Sequence, residues 1–156
     1  MSNLFKAILL LAILFNSNTA FSQKDWRWDK HGIAFSAPSN MKVITNNAEE
    51  FAAEGSDLFL SLYAEQNSEV TEETLAEVVV AAAVEMEYDE ITDVDALSIQ
   101  DFKGFYVEGT KDGIGAVIIA LLDEKSSTNL IISIAYTTDA ARNKAIAIAD
   151  SFYAFD

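Results

Sequence analysis

The sequence predicts an α+β fold: a three-layer α/β/α sandwich in which helices cover both faces of a central antiparallel sheet of about six strands. Two amphipathic helical stretches each follow three strand-like segments, which gives the order β-β-β-α-β-β-β-α. One of these segments, residues 116–122, is almost wholly apolar and indicates a central strand buried on both faces. With 156 residues and 51% hydrophobic side chains, the chain can form one domain with its own core.

Residues 1–22 are predicted to be a secretory signal peptide and not part of this fold. A single lysine precedes the apolar run AILLLAILF, which is too short to span a bilayer as a helix. Small residues at alternate positions then suit cleavage before Gln23. We therefore expect an exported protein, periplasmic or extracellular, whose single mature domain covers residues 23–156 and has no membrane span.

The first half of the mature chain predicts three strands and a helix. Residues 33–37 alternate between the two faces of a strand and end at a turn, and residues 50–54 and 58–63 flank Gly55 as a hairpin. Thr71 then offers an N-cap for a helix that reaches Glu87. Its apolar stripe has spacings of three and four: Leu75, Val78, Val79, Ala82 and Met86.

The second half repeats that order. Residues 96–109 predict a long strand, and the turn Lys111-Asp112-Gly113 leads into the central strand because Asp-Gly tolerates positive φ. The last predicted strand covers residues 130–136. Thr138 or Asp139 is expected to cap a final helix with the stripe Ala141, Ala145, Ile148 and Phe152. Three glycines near the hairpin are interpreted as turn glycines: Gly109, Gly113 and Gly115.

Three segments resemble the PsbP-like fold family: FSAPSNMKV at residues 35–43, FKGFYVEGT at residues 102–110, and ADSF at the end of the last helix. The resemblance spans most of the mature chain and implies an antiparallel sheet covered by helices. It also implies an accessory or binding role, since family members include a photosystem subunit, a binder of the GTPase Ran and small exported bacterial proteins of unassigned activity. The sequence departs from the family where an aromatic typically follows the early proline.

The composition excludes several classes of function. The chain has 25 acidic and 10 basic residues, a net charge of −15, which argues against nucleic-acid binding because phosphate contacts need clustered Lys and Arg. The absence of cysteine removes thiolate nucleophiles and Cys-type zinc sites. The single histidine, His31, has no nucleophile motif to pair with. We therefore predict no enzymatic activity and no cofactor, with calcium as the one ion to consider.

The densest charge cluster has six carboxylates within residues 85–95. Calcium binds several such oxygens, but the EF-hand order is absent, and solvated loop charge is the simpler interpretation. Three of the six are predicted as metal ligands if calcium does bind: Asp89, Asp93 and Asp95.

Two tryptophans, Trp26 and Trp28, flank an arginine at alternate positions and are the candidate residues for anchoring a partner. The favoured interpretation is that both indoles pack the chain terminus against the sheet, because indole is hydrophobic.

These observations predict an exported, non-enzymatic binding or accessory protein. Its expected partner is a protein or small ligand of the cell envelope, held on a sheet face or on the edge that carries the tryptophans. The first alternative is a calcium-linked accessory module that uses the acidic cluster at residues 85–95. The second is a small hydrolase built around His31.

Overall fold

The computed structural model describes residues 22–67 and 69–156, so the predicted signal peptide falls outside the described residues except for Ser22. The described residues form an α+β fold, as predicted. The strands are β1 Gln23–Trp28, β2 Ile33–Pro38, β3 Lys42–Asn46, β4 Glu50–Glu54, β5 Leu58–Gln66, β6 Asp95–Ile99, β7 Phe102–Lys111, β8 Ile114–Asp123, β9 Thr128–Tyr136 and β10 Tyr153–Ala154. The helices are α1 Leu75–Glu85, between β5 and β6, and α2 Asp139–Ala149, between β9 and β10.

The strands form two antiparallel sheets. The larger sheet has seven strands in the order β3-β4-β5-β9-β8-β7-β6, and the smaller has three in the order β1-β2-β10. This corrects the predicted single sheet of about six strands, since β1, β3 and β10 were not predicted and the predicted strand over residues 96–109 divides into two. The division falls at Asp101, which has a φ of 69° and ends the extended backbone between β6 and β7.

The two helices pack on opposite faces of the larger sheet. Alternate residues of β8 show this, because successive side chains on a strand point to opposite faces. Val117, Ile119 and Leu121 share a core with α2 and the smaller sheet. The residues between them, Ala116, Ile118 and Ala120, share a second core with α1.

Both helices begin near the predicted positions. In α2, Thr138 Oγ1 accepts a hydrogen bond from the backbone N–H of Ala141 at 3.1 Å, so the predicted cap is correct. In α1 the N-cap is Thr74 and not Thr71, because residues 72–74 form a turn ahead of the helix. Neither helix in the described part of the chain has the length and apolarity needed to cross a membrane.

Candidate functional site

The two tryptophans of β1 are core residues in this structure. Trp28 is fully buried, and its Nε1 donates a hydrogen bond to the Asn47 carbonyl at 2.7 Å. Trp26 is 8% exposed, and Lys24 Nζ lies 3.8 Å from its ring centroid. Because both indoles are covered, neither offers the exposed aromatic face that the predicted partner anchor requires. We therefore place the candidate site elsewhere.

His31 is held in a structural position beside Trp28. Its Nε2 is 2.6 Å from the Ala48 carbonyl oxygen, where the ring nitrogen donates, and its ring meets the Trp28 ring edge-on at 4.4 Å between centroids. These contacts join the turn after β1 to the turn before β4. They do not assemble the histidine with a side-chain nucleophile.

The acidic residues after α1 are spread over exposed backbone. Asp89 pairs through its backbone with Thr110, and Glu87 forms an ion pair with Lys111 at 2.8 Å. Asp95 begins β6. Across residues 22–67 and 69–156, no three His, Cys, Asp or Glu side chains come close enough together to hold a metal ion. The structure therefore does not bring Asp89, Asp93 and Asp95 together as ligands.

Neither of the two described helices covers one half of the larger sheet. α1 packs mainly on β7 and β8, so within the described residues the β9, β5 and β4 side of the same face is left largely uncovered. On β5, Leu58, Leu60 and Leu62 point into the core. The intervening side chains must therefore point outward onto the uncovered half of the sheet.

Exposed apolar side chains occupy this uncovered half. Phe59 is 44% exposed, Tyr63 is 39% exposed and Ile114, at the end of β8, is 44% exposed. Partly buried Ile131 and Ala135 of β9 lie next to them in the sheet. We call these five residues the open face. Exposed aromatic side chains are common at interaction surfaces.

The open face has a hollow at each end. One hollow, of about 230 Å³, is lined by Phe59, Ile114 and Ala135 among others. The other, of about 300 Å³, lies between Tyr63, Ile131 and the helix residue Met86. An apolar partner could therefore insert side chains at two points along the strands.

Carboxylates surround the open face. Four glutamates lie on the neighbouring strands and on α1: Glu50, Glu54, Glu65 and Glu85. Tyr63 Oη donates a hydrogen bond to Glu50 Oε1 at 2.9 Å, and burial, followed by the effect of Glu50, raises the pKa of Tyr63. Two basic residues also lie beside the open face: Lys42, paired with Glu54 across β3 and β4, and Lys111, paired with Ile114 across β7 and β8. The open face thus has exposed apolar side chains at its two ends, buried Ser61 and Ser133 between them, and acidic residues at its edge.

An ion pair on the other face of the sheet fixes α2 to β7. Arg142 Nε donates to Glu108 Oε2 at 2.8 Å and Arg142 Nη2 donates to Oε1 at 2.5 Å, while Tyr136 Oη donates to Oε2 at 3.1 Å. The hydrogen bonds from Arg142 are the main reason that the pKa of Glu108 lies below its ordinary value. Glu108 raises the pKa of Arg142 in turn. These hydrogen bonds join the three side chains in one group.

Glycines make room for two tyrosines in these sheets. A Cβ on Gly115 would overlap the Tyr136 ring, and a Cβ on Gly109 would lie 2.9 Å from Tyr88 Cβ. Of the three glycines near the hairpin, Gly113, with a φ of 79°, is the turn glycine. The interpretation of Gly109 and Gly115 as turn glycines is therefore wrong, because their role is close packing within the strands.

Sequence comparison does not assign the chain to a family. No family model matches it, and no curated protein matches it. Among solved structures, the fold is similar to the 1.9 Å crystal structure of the Ran-binding protein Mog1p of Saccharomyces cerevisiae. The TM-score is 0.60 at 10% identity, and the match covers 88% of this chain and 97% of Mog1p. At that identity the likeness concerns the fold alone.

This result corrects the resemblance to the PsbP-like family. The segments at residues 35–43 and 102–110 that suggested it are strand patterns, and strand patterns recur in unrelated sheets. With no matching family model, assignment to that family is wrong. The class that the structure supports is an α+β domain with the fold of Mog1p and an uncovered apolar sheet face.

Proposed function

We propose that this chain is an exported, non-enzymatic binding protein that holds a protein partner on the open face of its larger sheet. The observation that carries the proposal is the exposure of Phe59 and Tyr63 on the part of the sheet that α1 leaves uncovered. Aromatic side chains contribute most of the binding energy in many interfaces, and they are costly to leave in water without a partner.

The chemistry of the rim defines the kind of partner. Four glutamates lie around the exposed apolar side chains, and the whole chain carries a net charge of −15. A partner with an apolar centre and Lys or Arg around it would be complementary, and opposite charge would speed its association. An acidic partner would be repelled.

The likeness to Mog1p supports a protein-binding role in one limited sense. Mog1p is a Ran-binding protein, so a fold of this kind can carry a surface for another protein. Its 10% identity carries no partner across to this chain, and the open face is argued from this chain's own residues.

Photo-crosslinking tests the proposed surface directly. A benzophenone amino acid in place of Phe59 should crosslink a partner in the envelope or medium of the producing cell. The matched control is the same amino acid in place of Asn143, which is exposed on α2 at the opposite face of the sheet. A product at position 59 and none at position 143 supports the proposal. Equal products at both positions, or none at position 59, contradict it.

Export rests on residues 1–22 and has a test of its own. Intact mass measurement of the protein recovered outside the cytoplasm should give a chain that starts at Gln23. The strand β1 begins at that residue, so cleavage there keeps every described strand and helix and removes only Ser22, whose carbonyl accepts a hydrogen bond from the Ser39 N–H. Recovery of the uncleaved chain from the cytoplasm alone would remove export from the proposal and leave the open face to be tested separately.

A further inference from the structure

A cleft lies between α2 and the outer strands of the larger sheet, on the face opposite the open face. α2 packs on β8 and β9, so β6 and β7 extend beyond it on this side. The cavity between them has a volume of about 310 Å³, and its walls are formed mainly by Leu97, Tyr106, Val117, Ile146 and Ala149. Small-molecule sites have volumes from about 300 Å³ upward and mostly apolar linings. This cleft falls at the lower end of that range.

Two polar groups in the cleft carry hydrogens that have no acceptor within the described part of the chain. Arg142 uses Nε and Nη2 to bind Glu108, which leaves Nη1 unbonded. The Tyr106 hydroxyl also makes no hydrogen bond to the described residues. In a cavity whose walls are mainly apolar, these two donor groups favour a ligand that carries a hydrogen-bond acceptor.

The charges around the cleft favour a neutral ligand over an anion. Glu108 already compensates the charge of Arg142 through two hydrogen bonds. Asp150 lines the rim, and Asp95 stands directly opposite Tyr106 in the β6–β7 pairing. An incoming carboxylate would therefore meet uncompensated negative charge.

We propose that the cleft between α2 and the β6–β7 edge binds a small, neutral, mainly apolar molecule that has a carbonyl or hydroxyl oxygen. The apolar part would lie against Leu97, Val117 and Ile146. The oxygen would accept hydrogen bonds from Arg142 Nη1 and the Tyr106 hydroxyl. This site is separate from the open face, so its test does not depend on whether the proposed protein partner exists.

Nuclear magnetic resonance titration with three matched probes tests the chemistry. Acetophenone has an aromatic ring and a carbonyl, ethylbenzene has the ring without an acceptor, and benzoate has the ring with a negative charge. We expect saturable amide shifts at Leu97 and Ile146 with acetophenone. Ethylbenzene should bind more weakly, and benzoate should cause no saturable shift there.

Two variants test the location. Ala149→Leu places a larger side chain in the cavity and should weaken acetophenone binding at least about tenfold, as loss of most of the buried contact would give. Its control, Ala147→Leu, makes the same change at an exposed position of the same helix and should leave binding unchanged. Should Ala149→Leu fail to fold, Tyr106→Phe replaces it. Loss of that hydroxyl should weaken acetophenone about two- to tenfold and leave ethylbenzene unaffected.

Three results would overturn the proposal. The first is no saturable shift with acetophenone at the cleft. The second is equal binding by benzoate, which would contradict the neutral ligand. The third is an unchanged acetophenone affinity in the folded cavity variant, or in Tyr106→Phe where that variant is used.

Discussion

At the scale of single residues, a glycine in β8 makes room for a tyrosine ring that links three elements. Gly115 lies on β8 between the strands that carry Tyr136 and Glu108, and the absence of a Cβ lets the tyrosine ring lie across it. The Tyr136 hydroxyl then reaches Glu108, which also binds Arg142 of α2. One missing methyl group therefore allows a connection between β9, β7 and α2.

Gly115→Ala is expected to destabilise the domain by about 1–3 kcal/mol, because the added Cβ overlaps the Tyr136 ring in a packed region. Urea unfolding at neutral pH measures the change. The same substitution made in a Tyr136→Ala background should cost less, since the overlapping ring is gone. Equal costs in the two backgrounds would show that the ring is not the cause.

Glu108→Gln is expected to lower stability by about 1–3 kcal/mol at pH 7, because the charged hydrogen bonds to Arg142 are lost. The pKa of Glu108 is lowered in the folded protein. Its stabilisation is therefore complete above the ordinary pKa of a glutamate and is lost as the pH falls through the folded value.

The stability difference between the parent protein and Glu108→Gln should accordingly shrink as the pH is lowered below the ordinary glutamate range. Urea unfolding at a series of pH values checks this. Glu49→Gln, at an exposed position, is the control and should show little difference at any pH. A difference that grows in acid would contradict the assigned role of Glu108.

At the scale of elements, the sequence predicted those strands and helices whose pattern is complete within the segment. The β7–β8 hairpin was predicted from the Asp112-Gly113 pair, because Asp-Gly tolerates positive φ. In the structure both residues do adopt positive φ. β3 was missed because four of its five residues are exposed, so no alternation of polar and apolar residues marks it. The break at Asp101 was missed because no glycine or proline signals it.

The candidate site was predictable only in part for a related reason. Alternation on β5 places Phe59 and Tyr63 opposite the three leucines, and the sequence shows this. Which half of the sheet α1 leaves uncovered depends on long-range packing, which no local pattern reveals. The burial of Trp26 and Trp28 was likewise decided by their contacts with distant backbone at Ala37 and Asn47.

Thr138→Ala is expected to destabilise the domain by about 0.5–2 kcal/mol, because the threonine hydroxyl caps α2 by accepting from the Ala141 N–H. The neighbouring Thr137→Ala is the control, since its side chain makes no cap contact, and it should fall within about 0.5 kcal/mol of the parent. Urea unfolding distinguishes the two. Equal losses would mean that the cap does not stabilise α2.

At the scale of the whole molecule, the two faces of the larger sheet differ in how much of each is packed against other elements. Among the described residues, the smaller sheet and α2 together bury one face, whereas α1 covers part of the other. This asymmetry leaves Phe59 and Tyr63 exposed on a protein whose net charge of −15 opposes self-association. Because the negative charge opposes self-association, this surface is suited to a different protein that carries positive charge.

Thermal unfolding of the domain is expected to show the same midpoint with calcium as with chelator at equal ionic strength. The reason is that Asp89, Asp93 and Asp95 do not gather as a ligand set in the structure. A midpoint that rises with calcium concentration would show binding to the folded state by mass action and would restore the calcium-linked alternative.

The central claim is that the open face holds a partner. The most direct test compares the amount of partner protein that three forms of the protein capture. The parent protein, Phe59→Ser/Tyr63→Ser and Val84→Ser would be used to capture proteins from the same envelope or medium fraction. Val84 is the matched control because it is 61% exposed on α1. We predict a partner retained by the parent and by Val84→Ser and reduced at least about tenfold by the double variant, as loss of aromatic anchors would give. Equal capture by all three forms would contradict the account.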